Sequence, residues 1–184
     1  MTTPTSPMSP MSPARAAHLR AEDPTYDVSL SPDDPAPCGF TAFARSRALP
    51  PDVDLDTARN RLLHWRVQRG AGLRVTASSE RVTEGVVVDL RVGVGPLAVT
   101  APCRVVDVVD EPDWCGFTYV TLPGHPEAGV ESFTVTLDAQ GRTVLRVAAV
   151  SRPATLVTRV GGPLGRLAQQ LITVRYLRAL DQPG

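Results

Sequence analysis

Residues 131–150 read ESFTVTLDAQGRTVLRVAAV, two strands and the turn between them. Phe133, Val135 and Leu137 alternate with Thr134, Thr136 and Asp138, the period of two that sends successive side chains to opposite faces of a strand. Asp138–Gly141 breaks the alternation with residues suited to a hairpin turn, and residues 143–150 resume it. One face of this pair is apolar and the other wetter, the pattern of an antiparallel sheet covered on one side.

Working outward, the same period predicts strands at 73–82, 86–92, 97–109 and 115–122, separated by short Gly, Pro and Asp clusters such as Gly93–Pro96, Asp110–Asp113 and Gly124–Gly129. Upstream, residues 39–49 read as a half-buried first strand that stops at Pro50–Pro51. A helix follows. Asp54 or Asp56 supplies its N-cap, Leu55, Ala58, Leu62 and Trp65 form its apolar stripe, and Gly70–Gly72 ends it. After Pro153 the period becomes helical again through Leu156, Val160, Leu164, Leu167, Leu171, Val174 and Leu177, with Gly161–Pro163 kinking or splitting the helix. This order predicts an α+β helix-grip domain over residues 38–181: a curved antiparallel sheet of about six to seven strands wrapped around a long C-terminal helix, with a cavity between them. Residues 1–37, rich in Pro, Ser, Thr and Asp, read as a disordered tail whose first 24 residues can be removed without effect. Tyr26 is the exception, expected to pack on the domain near the cavity mouth.

Composition narrows the chemistry. The 184 residues are 42% hydrophobic and 21% charged, ordinary for a globular chain. All 19 cations are Arg, which excludes Schiff-base catalysis and a P-loop lysine, and they balance 19 acids, so no general charge drives nucleic-acid binding. Cys38, Cys103 and Cys115 lack metal or disulfide spacing and are expected to be free thiols. No run is apolar for long enough to span a membrane, and the N-terminus lacks a secretory pattern, so the cytoplasm is the expected location. No motif implies a metal or a cofactor.

The segments Cys103–Val106, Gly116–Tyr119 and Thr121–Glu127, followed by Glu131 and Phe133, resemble the family of unknown function called UPF0548 or DUF1990. The resemblance reaches upstream to Trp65 and Gly70/Gly72, and downstream to Ser151–Pro153 and Arg175–Leu177. It implies a helix-grip fold related to Bet v 1-like and lipid-transfer domains. Two positions depart from the family pattern. Val120 stands where a Gly usually follows the Tyr, and Val130 where a second acid usually precedes Glu131, which puts in doubt any role that needs two carboxylates.

The polar candidates for a ligand site are Trp65, Arg104, Tyr119, His125, Glu127, Glu131, Arg152 and Tyr176. His125, close to Glu127 and Glu131, suits acid–base work, ligand contact, or a purely structural bond within its own turn. Arg104 lies among apolar strand residues and has Glu131 as its natural partner. Trp65, Tyr119 and Tyr176 come from different elements and can converge between helix and sheet. Three functions remain open: binding of a small hydrophobic or amphipathic molecule, acid–base catalysis on a lipid-like or polyketide-like substrate, and a protein-interaction module with a packed interior.

Overall fold

The structure is a computed structural model that describes residues 8–93, 95, 98–154 and 171–181. Among these residues eight strands form one sheet: β1 (Met8–Pro10), β2 (Thr41–Ala48), β3 (Arg74–Ala77), β4 (Val87–Val92), β5 (Val99–Asp110), β6 (Trp114–Thr121), β7 (Glu127–Leu137) and β8 (Thr143–Pro153). Their spatial order is β1-β3-β4-β5-β6-β7-β8-β2. The β3–β8 meander is antiparallel, as the alternation predicts, and β2 returns to pair with β8, Thr41 opposite Ser151 and Ala48 opposite Val144. The expected loop at 124–129 is shorter than the sequence suggests, because β7 begins at Glu127.

The sheet is covered on both faces. On the inner face Val75, Val88, Val105, Phe117, Phe133, Leu145 and Val147 pack with Leu62, Trp65, Tyr176 and Leu180. Alternation sends their neighbours the other way. There Val120, Val130 and Val150 meet Tyr26, and Val87 and Leu122 meet Met11, Ala16 and Leu19.

The helix expected over 55–70 is two helices. α2 (Leu55–Leu62) starts at Asp54, whose carboxylate accepts the Thr57 N–H at 2.7 Å, and α3 (Arg66–Gly70) starts after Trp65. Trp65 has φ 60, the left-handed region, which costs an L-residue roughly 1–2 kcal/mol. Burial holds it there. Its ring lies edge-on to Phe117 at 5.6 Å, and its indole N–H donates to the Ser79 carbonyl at 3.3 Å. No Gly or Pro marks this break, so periodicity runs through it unnoticed.

Residues 171–178 are helical, with the buried face rotated from the expected one. Leu171 and Val174 are 53% and 48% exposed, whereas Thr173, Tyr176, Ala179 and Leu180 are buried. The aromatic ring decides the face: Tyr176 sits edge-on to Phe133 at 5.1 Å. Arg47 donates to the Leu177 carbonyl at 2.9 Å and Arg61 to that of Leu180 at 2.8 Å, tying down the helix end. Gly70 permits the approach, since a Cβ there would lie 2.7 Å from the Ala179 carbonyl. Leu156, Val160, Leu164, Leu167 and Gly161–Pro163 lie outside the described residues.

The largest correction concerns the N-terminal segment. Far from forming a tail, residues 8–10 make β1, parallel to β3, and α1 (Pro13–Ala21) lies on the outer face. Ser12 caps α1 by accepting the Arg15 N–H, and Pro13 sits in the first turn, where its missing N–H costs nothing. Arg15 forks onto Asp89 through two 3.0 Å bonds. At the other end Arg104 donates to the carbonyls of Leu19, Arg20 and Glu22 at 2.8, 3.0 and 2.5 Å. Pro and Ser dilute the apolar content of this segment, but Met11, Ala16 and Leu19 are enough to seat it. Tyr26 packs against Phe40 with ring centroids 5.1 Å apart, on the outer face rather than at a cavity mouth.

Deleting residues 1–22 therefore strips Val87, Leu122 and the Arg104 guanidinium of their cover, and the urea midpoint should fall. Arg104→Ala alone should cost about 1–3 kcal/mol, the range for charge-assisted bonds to otherwise unpaired carbonyls. Midpoints equal to wild type in both variants would restore the tail.

Candidate functional site

Tyr119 in β6 stands directly opposite Glu131 in β7, and two residues along the ladder Phe117 faces Phe133. The shared parity puts all four on the inner face. The Tyr119 hydroxyl donates to the Glu131 carboxylate. Phe117 and Phe133 stack at 5.3 Å, and Trp65 and Tyr176 close on them edge-on. Four of the expected site residues, Trp65, Tyr119, Glu131 and Tyr176, thus gather in one aromatic cluster with a carboxyl at its margin. Tyr119 and Tyr176 are almost fully buried.

Burial governs the titration here. It pushes the Glu131 carboxyl up to about 7; the Tyr119 bond pulls in the opposite direction, and Glu127 adds to the rise. Burial, and after it the Glu131 charge, holds the Tyr119 and Tyr176 hydroxyls and the Cys103 thiol well above their ordinary ranges. Cys103 is therefore an inert buried thiol. Glu127 shares the parity of Glu131 and accepts the Ser151 hydroxyl at 2.7 Å.

The other candidates go elsewhere. His125 lies in the turn before β7, its Nδ1 2.9 Å from the Glu127 N–H nitrogen and 2.8 Å from the Glu127 carbonyl, and its own N–H bonds the Leu122 carbonyl. Burial pushes it down to about 4, so it is neutral at physiological pH. Arg104 does not pair with Glu131. It stands opposite Val120, one residue out of phase with the Val105–Tyr119 pair, so its side chain leaves by the outer face toward α1. Arg152 is likewise outside, its guanidinium 4.8 Å over the Phe40 ring. Sequence reasoning overlooked Gln68 on α3, whose fully buried amide has no hydrogen-bond partner among the described residues. Nothing in the sequence signals it, because the break at Trp65 sets which way α3 faces. No group of three metal-binding side chains exists among the described residues, and none of their helices is long and apolar enough to cross a membrane.

The sequence matches the family described as Domain of unknown function (DUF1990) over residues 25–179. The chain belongs to the DUF1990 family. A UPF0548 protein of Deinococcus radiodurans is 42% identical over 77 residues, a stretch that spans 42% of this chain and 39% of that protein. Among solved structures, major latex-like protein 151 from Panax ginseng superposes with a TM-score of 0.51 at 19% identity, covering 78% of this chain and 99% of the other. A hypothetical protein from Helicobacter pylori gives 0.55 at 7% identity, covering 77% and 85%. The di-domain ARO/CYC StfQ from the steffimycin biosynthetic pathway gives 0.54 at 14%, covering 77% and 49%. At these identities the likeness establishes the fold, a helix-grip sheet and C-terminal helix.

In this DUF1990 chain two partly buried groups titrate in opposite senses. Glu131 holds its proton more tightly folded, about 7, than unfolded, 4.5, so its contribution to stability falls as pH rises between those values. His125 holds its proton less tightly folded, about 4, than unfolded, 6.5, so its contribution falls as pH drops through that window. Each amounts to up to ~3 kcal/mol, and the two offset where the windows overlap. The wild-type urea midpoint should be nearly level there, that of Glu131→Gln should climb with pH, and that of His125→Asn should fall. Three parallel profiles would mean that neither side chain is buried in the way described.

Proposed function

We propose that this protein binds a small hydrophobic or amphipathic molecule between the inner face of the sheet and the C-terminal helix, with Tyr119, Glu131 and Tyr176 meeting its polar end. Glu131 carries the proposal. It is an ionisable carboxyl on the face of Phe117 and Phe133, and no cation pairs with it among the described residues. Folding does not require such a group, since burying a carboxyl costs several kcal/mol and an apolar side chain would pack there at no such cost. Glu131 is partly accessible, which supports an opening beside its carboxyl on the inner face. Gln68 adds a second interior polar group in need of a partner.

The carboxyl also selects the ligand. With Glu131 and Glu127 on one face, a carboxylate or sulfonate head is repelled, whereas a hydroxyl, amide or amine finds both acceptors and phenolic donors. Acid–base catalysis is the second reading, favoured by a carboxyl that titrates near 7 beside a phenol. His125 is a poor partner for it, because its Nδ1 is engaged within its own turn.

Binding of N-phenylnaphthylamine, a neutral fluorophore, compared with its anionic analogue anilinonaphthalene sulfonate, tests the site. The amine should bind saturably and the sulfonate about ten-fold more weakly, with the gap narrowed in Glu131→Gln. Native mass spectrometry of protein purified without denaturation should show a co-purified small molecule. A bare chain that binds neither fluorophore would leave the protein-interaction reading, with a packed interior.

A further inference from the structure

Away from the interior, a shallow cleft open to solvent lies where α2 meets α3, lined among the described residues by Asn60, Arg61, His64 and Arg66. From Arg59 to Gly70 the chain carries Arg59, Arg61, His64, Arg66 and Arg69 and no acid. Some of this charge is matched: Arg59 binds Asp110, and Arg61 spends one nitrogen on the Leu180 carbonyl. Arg66 is different. It is half-buried, it has no hydrogen-bond or ion-pair partner among the described residues, and burial, then Arg69 and Arg61, push its guanidinium below the ordinary value. A partly desolvated guanidinium with five donors beside other cations is unfavourable until an anion joins it.

The backbone builds this arrangement. Left-handed Trp65 turns its own ring into the core, while its two neighbours, His64 and Arg66, line the cleft. Such strain in a residue other than glycine clusters at ligand sites. His64 fixes the rim of the cleft: its Nδ1–H donates to the Asn60 carbonyl at 2.7 Å, which leaves Nε2 of the neutral ring as an acceptor and the arginines as the donors to an anion.

We propose that this cleft is a binding site for a phosphate group, with the guanidiniums of Arg61 and Arg66 gripping its oxygens and the Asn60 side-chain amide completing the contacts. Planar guanidinium forks match the paired oxygens of a tetrahedral oxyanion better than a point charge does. A soluble phosphate ester and a phospholipid headgroup offer the same group, and the site is independent of the interior binding described above.

The test is titration of the full chain with inorganic phosphate and with phenyl phosphate at constant ionic strength set by chloride, read by calorimetry and by melting temperature. Wild type should bind both. Arg66→Gln should bind about ten-fold or more weakly, and Arg66→Lys, which keeps the charge but not the fork, should fall between. An unchanged melting temperature in chloride confirms that each variant is folded, and Asn60→Ala, at an exposed position, gives a second variant that should weaken binding without touching the core. Co-sedimentation with phosphatidylcholine vesicles doped with phosphatidic acid, lost in Arg66→Gln, assigns the group to a lipid headgroup; phosphate binding without co-sedimentation assigns it to a soluble ester. No heat and no melting shift with either phosphate, or equal effects in wild type and Arg66→Gln, would overturn the proposal.

Discussion

A slip of one residue between β6 and β7 would turn either Tyr119 and Phe117 or Glu131 and Phe133 outward, and bring Val120 or Val130 inward in their place. The register that sets Tyr119 against Glu131 is therefore the constraint on which both faces depend. It is held from two sides. The Phe117–Phe133 stack and the Tyr176 ring favour it within, and Tyr26 over Val120, Val130 and Val150 favours it without. Because both alternatives would exchange aromatic for aliphatic contacts on each face, neither cover tolerates the slip.

The outer cover explains how a sheet with polar groups on its inner face stays folded. A sheet that grips a helix buries one face and leaves the other to water unless more chain is supplied. Here the supply comes from residues 8–40, anchored by α1, by Tyr26 and by Thr25, whose N–H and hydroxyl meet Thr121. Arg104 is the hinge of that anchorage. Three carbonyls at the end of α1 would lack partners without it, and the guanidinium would be buried among apolar strands without them. The same dependence makes the N-terminal segment part of the domain and removes Arg104 from the interior.

Periodicity made the meander legible, from β3 through β8, because each strand alternates cleanly and each turn carries Gly, Pro or Asp. Parity puts Glu131 on the face of Phe133 and Val135, and Tyr119 on that of Phe117, a placement the sequence reading did not draw when it offered Arg104 as the partner of Glu131. Three things were not legible. Arg104 and Arg152 needed a register, not a pattern, to assign them to a face. Trp65 breaks a helix by tertiary burial with no local signal, so α3, Gln68 and the basic cleft could not be placed. The N-terminal segment hides a helix behind Pro and Ser that serve as first-turn residue and cap.

The departures at 120 and 130 follow from the same geometry. In a strand, residues 130 and 131 point to opposite faces, so two acids at those positions could never act together on one interior ligand. Val130 lies on the outer face directly opposite Val120 and beneath Tyr26, and the two valines fill one apolar patch. A Gly at 120 would leave a gap under the Tyr26 ring, and an acid at 130 would bury a charge beside it unless water or a cation reached in. Val120 and Val130 are thus one packing unit on the outer face. Glu131 keeps its place in the interior whatever residue 130 is, because its partner is the phenol across the ladder and not its neighbour in the chain.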